Sequence, residues 1–368
     1  MLFNSPGYIF IFLPFTLLIY FFLTKSKTTF LAKFWLVSVS LFFYGWWKPE
    51  YLILMLGSIY VNYHFGRQIL HSGSKTHAKT LLILGVIFNV ALLTYFKYAN
   101  FIVDNINWFT GSDYELLNVI LPLAISFFTF QQIAYLADCY GDHDKDYSLI
   151  DYALFVTFFP QLIAGPIVHH KEMMPQFTQT ENLKFISSNF SKGLFIFSLG
   201  LFKKMAIADT FAIWATAGFD NNLPLNFVDA WSTSLSYTFQ LYYDFSGYTD
   251  MAIGAALMFN IHLPINFNSP YKASNIQEFW RRWHITLSRW LRDYIYFPLG
   301  GSYCGKVRTS FNLFLTFLVG GLWHGAGWTF IIWGAMHGVA LLIHRLWQQS
   351  NLKMHAIPGW LLTFMFVN

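Results

Sequence analysis

Residues 311–338 read FNLFLTFLVGGLWHGAGWTFIIWGAMHG and place His324 among four glycines in a run that contains no Asp, Glu, Lys or Arg. A single helix over residues 311–346 would be about 54 Å long, whereas the hydrocarbon core of a bilayer is roughly 30 Å thick. The chain must therefore break, and the Gly-Ala-Gly at residues 325–327 is the predicted place. This puts His324 at the end of a partial membrane span.

The stretch before it, residues 278–301, reads EFWRRWHITLSRWLRDYIYFPLGG and carries a second histidine, His284. Residues 271–310 contain seven Lys and Arg but only two Asp and Glu, which indicates the cytoplasmic side of a membrane. On one continuous helix the aromatic and leucine side chains share a face opposite Arg282 and Arg289. We therefore expect an amphipathic interfacial helix with His284 on its flank.

The composition is that of a membrane protein, because 55% of the 368 residues are hydrophobic and only 11% are charged. A soluble domain carries roughly 25% charged residues. The net charge of +5 is read as an orientation signal, with the N-terminus outside, and not as a nucleic-acid patch. We predict an all-α polytopic protein forming a single transmembrane domain over residues 1–368. The predicted spans are residues 7–23, 34–47, 51–65, 81–95 and 116–137. Residues 192–218 are predicted to form a tilted or partly interfacial helix, and residues 231–259 form a further apolar run with embedded carboxylates.

Two further features interrupt these apolar runs. Pro160 and Pro166 break the apolar residues that follow Leu149, which predicts a kinked or re-entrant element, the alternative being an ordinary loop between two helices. Asp244 and Asp250 lie inside residues 231–259. Carboxylates within a membrane usually face a cavity or a partner, and the alternative is pairing with a nearby Arg or backbone N–H groups.

His324 is the leading candidate for proton transfer. A neutral imidazole takes and returns a proton near neutral pH, and the neighbouring glycines allow a substrate to approach closely. The alternative is a structural histidine that hydrogen-bonds a facing helix, and His337 competes as a second histidine in an apolar run. His284 is either an interfacial polar residue or, with its flanking Arg281, Arg282 and Arg289, part of a site for a phosphate-rich donor. No HExxH, Walker loop, GxSxG or Cys–His zinc spacing is present, so metal, nucleotide and serine-hydrolase sites lose support.

Several blocks resemble the membrane-bound O-acyltransferase (MBOAT) family. They are FFPQLIAGP at 158–166, QLYYDFSGYTDMAIG at 240–254, NFNSPY at 266–271, FWRRWHITLSRWLRDYIYFPLGG at 279–301 and GGLWHGAGWTFIIWGAMHG at 320–338. More narrowly, they resemble the bacterial branch that includes the alginate and peptidoglycan O-acetyltransferase membrane components and the D-alanine transferase of teichoic acids. Relatives typically continue with further C-terminal helices, so we expect this chain to be a truncated form, a fragment or a shortened homologue.

The resemblance implies a ring of tilted helices around a thin central floor with a tunnel. It implies that His324 is the catalytic histidine and that His284 occupies the second signature position. The donor would be a cytoplasmic acyl thioester, acyl-CoA (with acetyl-CoA expected) or a carrier-protein thioester, used as substrate with no tightly bound cofactor or metal. The acceptor would be a cell-surface glycan, reached through an exported or periplasmic O-acetyltransferase partner. The location would be the bacterial inner (cytoplasmic) membrane, with multiple passes among membrane lipids.

We further assign substrate contacts to six residues, namely Arg281, Arg282, Trp283, Trp323, Asp244 and Asn266. Two other functions remain open from the sequence. One is a transporter of a polysaccharide or lipid-linked substrate, although no internal repeat is visible. The other is a non-catalytic membrane scaffold for an exported acetyltransferase.

Overall fold

The computed structural model describes residues 1–25, 29–141, 146–163, 165–220, 224–350, 352 and 354–368. The described residues form sixteen principal helices, and the predicted all-α class is confirmed. They are α1 Tyr8–Leu23, α2 Phe30–Gly45, α3 Tyr51–Leu70, α4 Lys75–Thr110, α5 Ile125–Gly141, α6 Leu149–Thr157, α7 Phe159–Leu162, α8 His170–Met173, α9 Ser187–Phe202, α10 Asp209–Phe219, α11 Phe227–Met258, α12 Ile276–Arg282, α13 Ile285–Leu291, α14 Lys306–His324, α15 Trp328–Gln349 and α16 Ala356–Val367.

The helices fall into two compact units. Unit 1 comprises residues 1–57, 147–267 and 365–368, and unit 2 comprises residues 58–146 and 268–364. Among the described helices, α4 and α15 are long and apolar enough to cross a membrane, and α1, α2 and α16 are shorter apolar helices. The single domain over residues 1–368 stays a prediction.

Unit 1 contains the predicted interruption after Leu149. Helix α6 ends at Thr157, the backbone turns at Phe158 (φ −47°, ψ 107°), and the one-turn α7 follows. The freed backbone is satisfied inside the protein, since the Phe159 N–H donates to Ser40 Oγ at 3.1 Å. Phe158 and Phe159 are fully buried. The predicted kink is therefore confirmed, and the backbone freed at it is packed inside the protein, whereas a re-entrant course through a membrane stays a prediction.

A buried ion pair joins α2 to α6 in the same unit. Lys33 Nζ lies 2.6 Å from Asp151 Oδ1, and only about a tenth of each side chain is exposed. The Ser148 hydroxyl donates to the same carboxylate at 2.6 Å, so the charge has a second partner. Pairing of this kind is what allows charges to be buried.

In unit 2, a polar network connects α3, α4 and α5. Ser58 Oγ donates to Gln132 Oε1 at 2.8 Å, and Asn89 Nδ2 donates to Asn62 Oδ1 at 2.6 Å. Asn62 Nδ2 also donates to Gln132 Oε1. All four side chains are almost fully buried, so the network specifies how these apolar helices align.

The predicted break at residues 325–327 is confirmed, because α14 ends at His324 and α15 begins at Trp328. The two helices pack at backbone distance. A Cβ placed on Gly321 would lie 2.3 Å from the Phe330 carbonyl oxygen and 2.9 Å from Gly334 Cα. Only glycine permits this approach.

Two predicted helices differ from the structure. The span predicted over residues 116–137 begins only at Ile125, because Pro122 lacks an amide proton and Ala124 has a left-handed backbone (φ 60°). The continuous amphipathic helix predicted through His284 is wrong. It is divided into α12 and α13, and His284 sits at the junction in the left-handed region (φ 44°, ψ 53°).

Candidate active site

His324 is the last residue of α14. Gly325 continues in an extended conformation (φ −165°, ψ 158°), which ends the helix. The final carbonyls of a helix have no partner within it. Here Tyr98 Oη donates to the Leu322 carbonyl at 2.5 Å, and Lys97 Nζ donates to the Trp323 carbonyl. Helix α4 thus caps the turn that carries His324.

His284 is 1% exposed and therefore buried, unlike the flank position predicted for it. Helix α12 closes where the Trp283 N–H donates to the Phe279 carbonyl at 2.8 Å, and Trp283 then adopts an extended backbone. Helix α13 opens where the Ser288 N–H donates to the His284 carbonyl at 3.0 Å. A left-handed backbone is uncommon for a residue other than glycine and clusters at functional sites. This junction turns the His284 ring inward.

Three histidine and three tryptophan rings form a continuous series in unit 2, called here the His–Trp cluster. The centroid distances are 5.8 Å for His284–Trp323, 4.9 Å for Trp323–His324, 4.9 Å for His324–Trp333, 4.5 Å for Trp333–His337 and 5.1 Å for His337–Trp280. Trp280 Nε1 also donates to His337 Nδ1 at 3.3 Å. The cluster brings together side chains from α12, α14, α15 and the α12–α13 junction.

An aromatic stack on α5 supports one end of this cluster. The Trp290 indole lies parallel to the Phe130 ring at 3.7 Å, and its Nε1 donates to the Phe130 carbonyl at 3.0 Å. Phe130 also stacks on Trp323 at 5.5 Å. These contacts connect α13 to α5 and hold the Trp323 indole between His284 and His324.

A cavity of about 800 Å³ reaches His324. This volume lies within the range of small-molecule sites, roughly 300–1,000 Å³. Its lining contains four arginines and two histidines, namely Arg281, Arg289, Arg292, Arg345, His324 and His344. Its apolar lining includes Trp280, Leu287, Leu291, Phe317, Gly320 and Trp333. The cavity therefore combines a cationic wall for an anion with an apolar wall beside the imidazole.

Of the predicted substrate contacts, Arg281 lines this cavity and Trp323 lies within the His–Trp cluster. Arg282 instead binds Glu278, with Nη2 2.7 Å from Oε1, and donates to the Asn268 carbonyl at 3.3 Å. Hydrogen bonds from the backbone N–H and hydroxyl of Ser274, together with Arg282, lower the pKa of the Glu278 carboxyl. Trp283 is buried and stacks on Phe279 at 5.8 Å. Substrate binding by these residues stays a prediction.

Asp244 and Asn266 belong to unit 1, whereas the other predicted site residues belong to unit 2. Asp244 Oδ1 lies 2.6 Å from Lys204 Nζ, and Asp250 Oδ2 lies 2.6 Å from Lys203 Nζ. Both carboxylates are thus paired with lysines, whereas the alternative drawn from the sequence named Arg or backbone N–H groups as partners. Asn266 is 1% exposed. Substrate contacts by Asp244 and Asn266 also stay predictions.

The sequence interpretation missed Lys97, Trp333, Arg292 and Arg345 as site residues. Lys97 had a recognisable signal, because it is the only charged residue between Lys79 and Asp104 in an apolar helix. Arg345 ends the uncharged run around His324 and could have been read the same way. From the sequence, His337 is only a competitor of His324, whereas the structure places both in one cluster.

Comparison with known proteins extends across the chain. A sequence model of the MBOAT, membrane-bound O-acyltransferase family, matches residues 17–368. The peptidoglycan O-acetyltransferase of Helicobacter pylori is 53% identical, over 100% of this chain and 76% of the relative's length. The probable alginate O-acetylase AlgI of Pseudomonas aeruginosa is 44% identical, over 100% of this chain and 70% of its own length.

A more distant relative is the teichoic acid D-alanyltransferase of Bacillus subtilis, 29% identical over 68% of this chain and 67% of its own length. The family match covers His284, His324 and every residue that lines the cavity. The chain belongs to the membrane-bound O-acyltransferase family.

Proposed function

We propose that this protein transfers an acetyl group from a cytoplasmic thioester donor toward a cell-surface polysaccharide, with His324 as the general base. The observation that carries the proposal is the arginine-lined cavity that reaches His324. An imidazole at the wall of a cavity with a cationic side and an apolar side suits a donor with an anionic group and an uncharged thioester.

The arginines favour coenzyme A over a carrier-protein thioester as donor. Arg281, Arg289, Arg292 and Arg345 all line the cavity. Guanidinium groups bind phosphate with paired, charge-assisted hydrogen bonds. Coenzyme A carries a diphosphate and a ribose phosphate, whereas the prosthetic group of a carrier protein carries one phosphodiester. Four guanidinium groups match the larger charge, although Arg292 also pairs with Asp293, whose Oδ1 lies 2.7 Å from its Nε.

In the proposed reaction, an acceptor hydroxyl gives its proton to His324 while its oxygen attacks the thioester carbonyl. A new C–O ester bond forms and the C–S bond breaks. The His324 imidazolium then returns the proton to the departing thiolate, so protons and electron pairs balance. General-base assistance of this kind contributes about 10²–10⁴-fold to a rate. The buried His284, separated from His324 by the Trp323 ring, would orient the acceptor or the donor carbonyl.

The relatives support the choice of acyl group and acceptor. Two of them are named for O-acetylation, one of peptidoglycan and one of alginate. We propose that the acceptor here is also a surface glycan, acetylated through an exported or periplasmic partner. We further propose a multi-pass location in the bacterial inner membrane and a ring of helices around a tunnel, as the family resemblance implies.

The test uses the full chain reconstituted in proteoliposomes with acetyl-labelled coenzyme A, following loss of label from the thioester. His324→Ala is expected to lower turnover by about 10²-fold or more. His77→Ala is the matched control, because this exposed histidine lies in the first turn of α4, away from the cavity lining. Equal turnover in His324→Ala and wild type would refute the assignment of the base. Thioester turnover by wild type would also argue against a pure scaffold.

A further inference from the structure

A lysine occupies an unusual place on α4. Lys97 lies in a π-helical turn, Thr94–Tyr98, within a helix that is long and apolar enough to cross a membrane. Ionisable residues in such segments are costly, face the protein interior and mark functional positions. Single π-helical turns inside α-helices are likewise frequent at functional sites. Both features direct attention to what the ammonium contacts.

The contacts of Lys97 converge on the residue before His324. Its Nζ donates to the Trp323 carbonyl and to Ser126 Oγ at 3.3 Å, and it lies 5.7 Å from the centre of the Trp323 ring. The neighbouring Tyr98 hydroxyl donates to the Leu322 carbonyl. One turn of α4 therefore holds two consecutive carbonyls in the last turn of α14.

The physical effect is that of a C-terminal cap. The last carbonyls of α14 have no amide donors within the helix, and a cation there interacts favourably with the helix dipole. The Trp323 carbonyl belongs to the peptide bond that joins Trp323 to His324. With its backbone held and its ring between Trp323 and Trp333, the His324 imidazole has little freedom to leave the cavity wall.

We propose that Lys97 is a positioning residue for the transferase reaction. Its ammonium caps α14 through the Trp323 carbonyl and thereby holds the His324 imidazole in its productive position. Lys97 touches the backbone beside the base and acts through His324, and it does not line the donor cavity. The inference rests on the proposed function of His324 as base, so its test includes a measurement that needs no activity.

The experiment compares Lys97→Met, Lys97→Arg, Tyr98→Phe and wild type as full chains in proteoliposomes. Lys79→Met is the matched control, since it makes the same change at an exposed position on the same helix. Kinetics with acetyl-coenzyme A give kcat and KM. Hydrogen exchange, read by mass spectrometry over residues 318–327 and over α3 and α5, reports the cap and the rest of unit 2 separately.

For Lys97→Met we expect kcat to fall roughly 10²-fold with KM changed less than about twofold, as for a misplaced catalytic group. Exchange over residues 318–327 should become about tenfold faster while α3 and α5 stay protected. Lys97→Arg keeps the cation and should restore most of kcat. Tyr98→Phe, which removes a neutral donor, should show the smaller loss.

Unchanged kcat and unchanged exchange in Lys97→Met would overturn the proposal. A raised KM with normal kcat would also overturn it, because Lys97 would then contact the donor. If wild type lacked turnover, the proposed function would fail, yet the exchange measurement would still decide whether Lys97 caps α14. If Lys97→Met lost protection across α3 and α5 as well, the whole unit would be destabilised, and Lys97→Arg and Tyr98→Phe would then be the deciding variants. Failure of Lys97→Arg to restore kcat would refute a role for the charge.

Discussion

The packing of α14 against α15 makes Gly321→Ala a sharp perturbation of the candidate site. An added Cβ would lie 2.3 Å from the Phe330 carbonyl oxygen, and ordinary contact begins at 3.4 Å. Both obstacles are backbone atoms of α15, since Gly334 Cα lies 2.9 Å away. The helices must therefore separate by about 1 Å, because neither partner is a flexible side chain.

That separation acts directly on the proposed base. His324 follows Gly321 by three residues on α14, and its ring packs on Trp333 of α15 at 4.9 Å. A displacement of about 1 Å at a catalytic group can cost about 10²-fold in rate. Overpacking of this kind also destabilises a fold by about 1–3 kcal/mol. We expect kcat to fall more steeply than the fraction of folded protein.

The assay measures acetyl-coenzyme A turnover and thermal unfolding of reconstituted Gly321→Ala and of Gly57→Ala. A Cβ on Gly57 meets nothing within 4 Å, so this helical glycine is the matched control. Alanine there should stabilise α3 by up to about 1 kcal/mol and leave turnover unchanged. Turnover of Gly321→Ala within twofold of wild type, with normal stability, would refute the link between helix spacing and the site.

Three further predictions follow from other contacts of the same unit. Arg292→Gln should raise KM for acetyl-coenzyme A several-fold and leave kcat unchanged, because Arg292 lines the cavity wall assigned to phosphate. The salt dependence of KM should also become weaker. An effect on kcat alone would contradict this role. His284→Asn should retain more donor turnover than His284→Ala, since Asn tolerates the left-handed backbone at φ 44° and keeps a polar side chain, and equal losses would argue against both reasons. Glu278→Gln should reduce the loss of thermal stability at acid pH. The folded-state pKa of Glu278 is lowered, so its carboxylate stabilises the fold above its ordinary pKa of 4.5. That contribution is lost as the pH falls through the lowered pKa. A melting-temperature series from about pH 6 downward checks the last prediction, and parallel curves for wild type and Glu278→Gln would refute it.

Length and hydropathy were sufficient to predict the parts of the fold that a bilayer dictates. The break at residues 325–327 follows because residues 311–346 are too long for one crossing, and the structure has α14 and α15 on either side of it. The interruption near Pro160 follows from the missing amide proton of proline. Both are local consequences of covalent chemistry and of helix rise, so no tertiary contact was needed to predict them.

Contacts between distant segments lay beyond such reasoning. Lys97 and Trp323 are 226 residues apart in the chain, and no periodicity on either helix indicates that they meet. The contact between Asp244 and Lys204 is another example, because the sequence indicates that Asp244 needs a partner but does not identify Lys204 as that partner. The hydropathy pattern of a segment indicates which side chains need partners, whereas the tertiary packing determines which partners they contact.

The junction at His284 is the most informative failure, because residues 276–291 contain neither Gly nor Pro and favour one helix. A left-handed backbone at a histidine is unfavourable and persists only where surrounding contacts hold it. Here the Trp290–Phe130 stack holds α13, and the Arg282–Glu278 and Arg282–Asn268 contacts hold α12. A continuous helix would satisfy local preference, yet it would change the direction of His284 relative to Trp323. The conflict between local preference and observed backbone therefore supports a functional role for His284, as natural proteins depart from local rules chiefly at working sites.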